Sequence, residues 1–129
     1  ARGRETMGRP IAEHQLIQGK LADMEAQCEA ARGVLYKVGM LIDEGVDGPE
    51  LTKYSAMCKL LCTDAAMDVT TDAVQILGGY GYIKESPVER LMRDAKITQI
   101  YEGTQEVQRL VIAREMLRES RAFLLAGVG

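Results

Sequence analysis

The sequence predicts an all-α fold, a four-helix up-down bundle with two long helices and two shorter ones. Three observations lead there. From Ile17 to Ile42, apolar or small residues recur in alternating steps of four and three: Ile17, Leu21, Met24, Cys28, Ala31, Leu35, Val38 and Ile42. A second long stretch carries Tyr54, Met57, Leu61, Ala65, Val69, Ala73 and Ile76 near helical spacing. Nowhere does the chain show the strict apolar–polar alternation of a half-buried strand.

Each element has its own signals. Pro10 suits the start of a first helical turn, because its fixed φ is helical and its missing N–H is not needed there. The seam from Ile17 then reads as a long amphipathic helix, with Gln18, Lys20, Glu25, Glu29, Arg32 and Lys37 on a solvated face. Gly19 and Gly33 each cost such a helix about 1 kcal/mol relative to Ala, which suggests close approach by a neighbour. Glu44-Gly45-Val46-Asp47-Gly48-Pro49 stops it, with glycine for the C-cap and Pro49 to open the second helix, about 50–77. β-Branched residues thicken toward the end of that helix (Val69, Thr70, Thr71, Val74, Ile76), yet the stretch is too long for one strand.

Gly78-Gly79-Tyr80-Gly81-Tyr82 breaks regular structure, and Pro87 opens a third helix to about residue 100 with Val88, Leu91, Met92 and Ala95 on its apolar face. Thr104 is the expected N-cap of a fourth helix reaching about Arg118 and lined by Val107, Leu110, Val111 and Leu117. The tail from Ser120 is expected to fray or to dock on another chain.

Composition narrows the function. One domain fits 129 residues, and 47% hydrophobic with 27% charged residues is a globular balance. A net charge of -3, no Trp and one Phe argue against a nucleic-acid partner. No apolar run approaches the roughly 20 residues of a membrane span. Three cysteines point to reduced thiols, and Cys58 and Cys62 read as small buried apolar groups rather than metal ligands, since His14 is the only histidine. The start at Ala1 reads as a cut through a longer protein.

Two loops hold candidate chemistry. The glycine cluster 78–81 reads first as a cap and tight turn, and no strand precedes it as a dinucleotide fingerprint requires. In Tyr101-Glu102-Gly103-Thr104 a carboxylate precedes a helix N-terminus, where the dipole and free N–H groups favour an acceptor oxygen. Such a carboxylate serves as a general base if its pocket excludes water; by local chemistry alone a solvated loop is the favoured reading.

Three ordered motifs carry a resemblance. Arg4-Glu5-Thr6-Met7-Gly8-Arg9-Pro10-Ile11 with Gln15 resembles the Arg-x-x-Phe-Gly-x-Pro-Ile…Gln signature of acyl-CoA dehydrogenases, with Met7 in place of the usual Phe. Gln75-Ile76-Leu77-Gly78-Gly79-Tyr80-Gly81 is similar to the family's Gln-x-x-Gly-Gly-x-Gly segment. Residues 87–96 leading into Ile100-Tyr101-Glu102-Gly103-Thr104 and then Gln108-Arg109 resemble its C-terminal signature. The resemblance runs from residue 4 to about residue 118.

The resemblance implies the C-terminal helical domain of an FAD-dependent enzyme that oxidises acyl-CoA to trans-2-enoyl-CoA. Glu102 would remove the α-proton as the β-hydride passes to flavin N5, and its backbone N–H would donate to the thioester carbonyl. Tyr101 and Gly103 would line the acyl pocket. Thr104 and Glu106 match positions that contact FAD in the same subunit, although the family often has Gln where Glu106 stands. Arg4, Thr6, Gln15, Gln75, Gly78 and Gly79 match positions that reach the FAD of a neighbouring subunit. Arg93, Asp94 and Arg109 read as structural ion-pair partners. The family further implies an N-terminal helical and a middle β-domain, electron-transfer flavoprotein as electron acceptor, and a homotetramer built as a dimer of dimers. It places the protein in a bacterial cytoplasm or a mitochondrial matrix. A non-catalytic bundle scaffold derived from the family and an acyl-CoA oxidase-like relative are the alternatives, and the chain alone is expected to be inactive, colourless and self-associating.

Overall fold

A computed structural model describes residues 1–126. Two short strands, β1 (Glu5–Thr6) and β2 (Arg9–Pro10), precede a single 3-10 turn at Ile11–Glu13. Five helices follow: α1 (Gln15–Asp43), α2 (Gly48–Leu77), α3 (Gly79–Tyr82), α4 (Pro87–Thr98) and α5 (Gln105–Ala126). The all-α bundle is the one expected, and α2 is its axis: α1, α4 and α5 each pack chiefly on α2 rather than on one another.

The caps explain the boundaries. Gly45 takes φ +75°, its N–H bonds the Ile42 carbonyl at 3.0 Å, and Val46 N–H bonds the Leu41 carbonyl at 2.9 Å. This pair is the Schellman motif that ends α1. Pro49 and Pro87 stand in the first turns of α2 and α4. The β-branched run of α2 stays helical because its threonines satisfy themselves on the preceding turn. Thr63, Thr70 and Thr71 hydroxyls donate to the carbonyls of Lys59, Ala66 and Met67 at 2.7, 2.6 and 2.7 Å.

Several expectations are corrected. The first ten residues form a hairpin, Glu5 opposite Pro10 and Thr6 opposite Arg9, where no strand was expected. Its turn has Met7 at φ 53° and Gly8 at φ 77°, the paired left-handed residues of a type I′ turn. Pro10 therefore ends a strand and caps the 3-10 turn instead of starting α1. Gly79–Tyr82 makes one helical turn in place of an irregular loop, and the tail is helical through Ala126, with 127–129 outside the described residues.

The seams also turn. In α1 the buried residues are Val38 and Leu41, while the expected Leu35 and Ile42 are 54% and 57% exposed. The helix carries apolar residues on more than one side and meets α2 with only one of them. A Cβ at Gly19 or Gly33 would meet nothing within 4 Å, so no close neighbour accounts for these glycines. In α5 the expected lining residues Leu110 and Leu117 are 70% and 67% exposed, and the buried positions are Gln105 and Glu115.

Polar groups take part in the α2–α5 contact, and a buried carboxylate is paired within α5 itself. Lys53 pairs with Glu119 at 2.6 Å, and hydrogen bonding to that carboxylate raises the lysine above its ordinary pKa. Glu115, 1% exposed, is held between Arg114 at 2.8 Å and Arg118 at 3.2 Å. The Arg114 hydrogen bond keeps its carboxyl below the ordinary value of 4.5. A depressed folded-state pKa contributes stability above the unfolded value that is lost as pH falls through the folded one. We therefore expect acid destabilisation below about pH 4.5 that Glu115→Gln makes shallower, read as the thermal midpoint against pH.

Candidate active site

The expected site residues gather in two places along α2. The first lies at its C-terminal end. Arg4 reaches across from the N-terminal segment, donates to the Leu77 carbonyl and stacks over the Tyr80 ring at 5.1 Å. Arg4, Thr6, Gln75 and Gly78 line one cavity of about 400 Å³, and Arg4 and Gly79 line an adjoining one of about 330 Å³. Gln15 is exposed at the first position of α1, beside the cavity-lining His14 and Leu16.

Two features build this cluster. Gly78 adopts φ 58°, ψ −138°, and a Cβ there would sit 3.4 Å from Arg4 Nη1, so glycine gives the guanidinium its place against the backbone. His14 braces the hairpin: Arg9 Nη2 donates to its Nδ1 at 3.2 Å, leaving Nε2 to face the Thr6 hydroxyl at 3.1 Å. Sequence reasoning weighed His14 only as a metal ligand and missed this bracing role. Its spacing from Thr6 and Arg9 becomes meaningful only once the hairpin is known.

The second cluster is the turn between α4 and α5. Tyr101 and Glu102 are exposed, and Gly103 and Thr104 are half-buried. Glu102 has φ 51° and Gly103 φ 95°, two consecutive left-handed residues. For a non-glycine residue that conformation costs roughly 1–2 kcal/mol and persists only where its surroundings enforce it. Here Lys59 Nζ donates to the Gly103 carbonyl, and Gln108 Nε2 donates to the same oxygen at 3.3 Å. Among the described residues the Glu102 N–H has no acceptor and its carboxylate no ion-pair partner.

Thr104 is the N-cap as expected, its hydroxyl accepting from Val107 N–H at 3.4 Å. Its own backbone N–H and the Thr104 hydroxyl, both close to the Glu106 carboxylate, hold it below its ordinary pKa. Ionised, Glu106 can only accept, so it suits an N–H group of a ligand and not a carbonyl.

A part-buried network under the turn had no signal in the sequence. Asp64 Oδ1 accepts from Gln99 Nε2 at 2.6 Å and from Gln105 Nε2 at 2.7 Å. Gln105, 7% exposed, also donates to the Thr63 hydroxyl at 2.7 Å, and Arg109 lies 3.6 Å from Asp64. Arg93 pairs with Glu89 at 3.0 Å and Arg90 with Asp94 at 3.4 Å, so Arg93, Asp94 and Arg109 are all ion-paired. The two clusters stand apart: Asp64 and Leu77 are separated by thirteen residues of α2, about 20 Å at ~1.5 Å per residue.

Cys58 and Cys62 sulfurs are 3.8 Å apart, and burial pushes the Cys62 thiol up to about 11. No group of three His, Cys, Asp or Glu among the described residues is arranged to hold a metal. No described helix is long and apolar enough to cross a membrane.

A family model described as acyl-CoA dehydrogenase, C-terminal domain, matches residues 1–117. The chain belongs to the acyl-CoA dehydrogenase family. Cyclohexane-1-carbonyl-CoA dehydrogenase of Geobacter metallireducens is 52% identical over 120 residues, 93% of this chain and 31% of that protein. Butyryl-CoA dehydrogenase from Megasphaera elsdenii superposes with a TM-score of 0.85 at 51% identity, over 90% of this chain and 30% of that one. A structure of the electron transferring flavoprotein of Acidaminococcus fermentans, from work on flavin-based electron bifurcation, matches with a TM-score of 0.86 at 50% identity. That match covers 91% of this chain and 30% of the other. This acyl-CoA dehydrogenase domain therefore spans about 30% of the length of the relatives it matches.

Proposed function

We propose that the chain is the C-terminal helical domain of an FAD-dependent acyl-CoA dehydrogenase, in which Glu102 takes the α-proton of the thioester on the way to trans-2-enoyl-CoA. The supporting observation is the Glu102–Gly103 turn: an unpaired carboxylate and an unpaired N–H on one left-handed residue, fixed from behind by Lys59 and Gln108. Base and oxyanion donor are then supplied by the same residue. The carboxylate accepts the α-proton while the N–H donates to the carbonyl on which charge develops. Tyr101 and Gly103 flank it and border the acyl group. Because Glu102 is exposed in this chain, the surfaces that exclude water from it belong to further domains, an N-terminal helical and a middle β-domain.

The residues present fit FAD. Arg4, with Thr6 and Gln75 around the 400 Å³ cavity, supplies a cation and hydrogen-bond donors for a pyrophosphate, and Gly78 leaves the space a Cβ would fill. Thr104 and Glu106 flank Gln105, which bonds Asp64, about 20 Å along α2 from Leu77; this supports two separate contacts, one with the cofactor of the same subunit and one through Arg4, Gln15 and Gln75–Gly79 with that of a neighbour. When bound, FAD supplies the redox chemistry by accepting the β-hydride. A homotetramer, a bacterial cytoplasmic setting and electron-transfer flavoprotein as acceptor complete the proposal. The likeness to the Acidaminococcus fermentans structure supports that acceptor.

The full-length protein is expected to purify yellow and to bleach on addition of an acyl-CoA from a series of graded length, with electron-transfer flavoprotein restoring the colour. The 129-residue chain alone is expected to be colourless. A full-length protein that binds no flavin, or whose flavin no acyl-CoA bleaches, contradicts the reading.

A further inference from the structure

We infer that Lys59 is a positioning residue for the proposed base, fixing the left-handed turn that sets where the Glu102 carboxylate points. The inference rests on the reading of Glu102 as the base and goes beyond it to the group that holds the base in place. Its starting point is the backbone. Two successive left-handed residues, Glu102 at φ 51° and Gly103 at φ 95°, form a turn that relaxes unless something outside it imposes the shape.

The ends of the turn are tied by groups unrelated to its direction. Tyr101 N–H bonds the Ile97 carbonyl at 3.0 Å and Gln105 N–H bonds the Gln99 carbonyl at 3.2 Å. Below them, Gln99 and Gln105 share Asp64. These bonds secure α4 and α5 to α2 and leave the central peptide free to flip. The turn is held through its carbonyls: that of Gly103 accepts from Lys59 and Gln108, and that of Glu102 accepts from Gln108 at 3.5 Å, so Lys59 is the one donor among the described residues that comes from outside the turn and α5. Gln108 is one turn into α5 and moves with the loop. Lys59 is forty-four residues away in sequence, on the central helix, and is the contact that references the turn to the rest of the fold.

The chemistry suits the task. An ammonium on a half-buried stem makes a charge-assisted bond to a carbonyl, stronger than a neutral amide would make. If the turn relaxes out of its left-handed form at Glu102 and Gly103, the Glu102 carboxylate and N–H both change direction, so proton removal and carbonyl polarisation fail as a pair. A displacement of about 1 Å in a reacting group is enough to lower a rate by about 100-fold.

The test uses the full-length flavoenzyme and stopped-flow flavin reduction by an acyl-CoA, with Lys59→Met, Lys59→Arg and Glu102→Gln side by side. Met keeps the aliphatic stem and removes the donor, whereas Arg keeps donor and charge. Lys59→Met is expected to slow reduction by about 10- to 100-fold, with an unchanged flavin spectrum and a substrate Kd within about threefold of wild type. Lys59→Arg is expected to recover most of the rate. A wild-type rate in Lys59→Met, or equal losses in Met and Arg, overturns the inference. Should Lys59→Met lose its flavin, Lys59→Gln, which keeps a polar side chain too short to reach the Gly103 carbonyl, carries the same expectation. A wild-type rate there then overturns the inference. Glu102→Gln separates the two claims: an active Glu102→Gln enzyme removes the base itself, while an inactive one beside a wild-type Lys59→Met enzyme removes only the positioning role.

Discussion

Replacing Glu102 by Gln in the full-length enzyme is expected to lower flavin reduction by about 10²- to 10⁴-fold, the span associated with losing a general base. The substitution keeps the side-chain length and removes only the ability to take a proton. Nothing else in the described residues depends on that carboxylate, which makes no ion pair and leaves its turn to be held through the Gly103 carbonyl. Flavin content is therefore expected to match wild type, because Arg4, Thr6, Gln75, Gly78, Thr104 and Glu106 are untouched. Substrate affinity is also expected to hold, since a general base is called on only as the proton is transferred. A loss in rate without a loss in binding marks an interaction made only in the transition state.

The second large effect is on stability. Gly81 is buried where α3 folds back on the end of α2, and a Cβ there would lie 2.7 Å from the Val74 carbonyl oxygen and 2.9 Å from Leu77 Cβ. The nearest atom is backbone in the last turn of α2, so it cannot step aside as a side-chain tip can. Gly81→Ala is expected to cost about 1–3 kcal/mol through overpacking. For a domain of this size that lowers the thermal midpoint by roughly 3–5 °C per kcal/mol. The displaced turn also carries Gly78 and Tyr80, the two residues against which Arg4 lies, so weaker flavin retention is expected alongside. Gly39→Ala is the matching control. It lies in α1 with no atom within 4 Å of its added Cβ, and is expected to be neutral or to stabilise by a few tenths to about 1 kcal/mol.

Helix boundaries were legible in the sequence because they depend on local chemistry. Gly45, Pro49, Pro87 and Thr104 each stand within a residue or two of the helix end that they announce. Which face is buried was less legible. In α1 both the Val38–Leu41 and the Leu35–Ile42 positions are apolar, and periodicity alone does not choose between two apolar stripes when only one meets a partner. In α5 the choice inverted, since Gln105 and Glu115 face inward on hydrogen bonds and ion pairs. Polar residues read as solvated until a partner is visible, and the partners Asp64 and Thr63 lie more than forty residues away.

The candidate site was legible in another sense. Motif resemblance named Arg4, Thr6, Gln75 and Gly78, and the fold brings these four around one cavity. It also named Glu102 and Gly103, but neither residue type announces a pair of left-handed residues when the first is glutamate. That conformation, and the lysine that holds it, emerge only from the tertiary structure.

The central claim is that a carboxylate at position 102 removes the α-proton, and it can be read without net turnover. An acyl-CoA deuterated at the α-carbon, incubated in H₂O with the full-length enzyme and no electron acceptor, reports abstraction directly as deuterium lost to solvent, measured by mass spectrometry. Wild type is expected to wash the label out and Glu102→Gln to retain it. Washout by Glu102→Gln at the wild-type rate contradicts the claim.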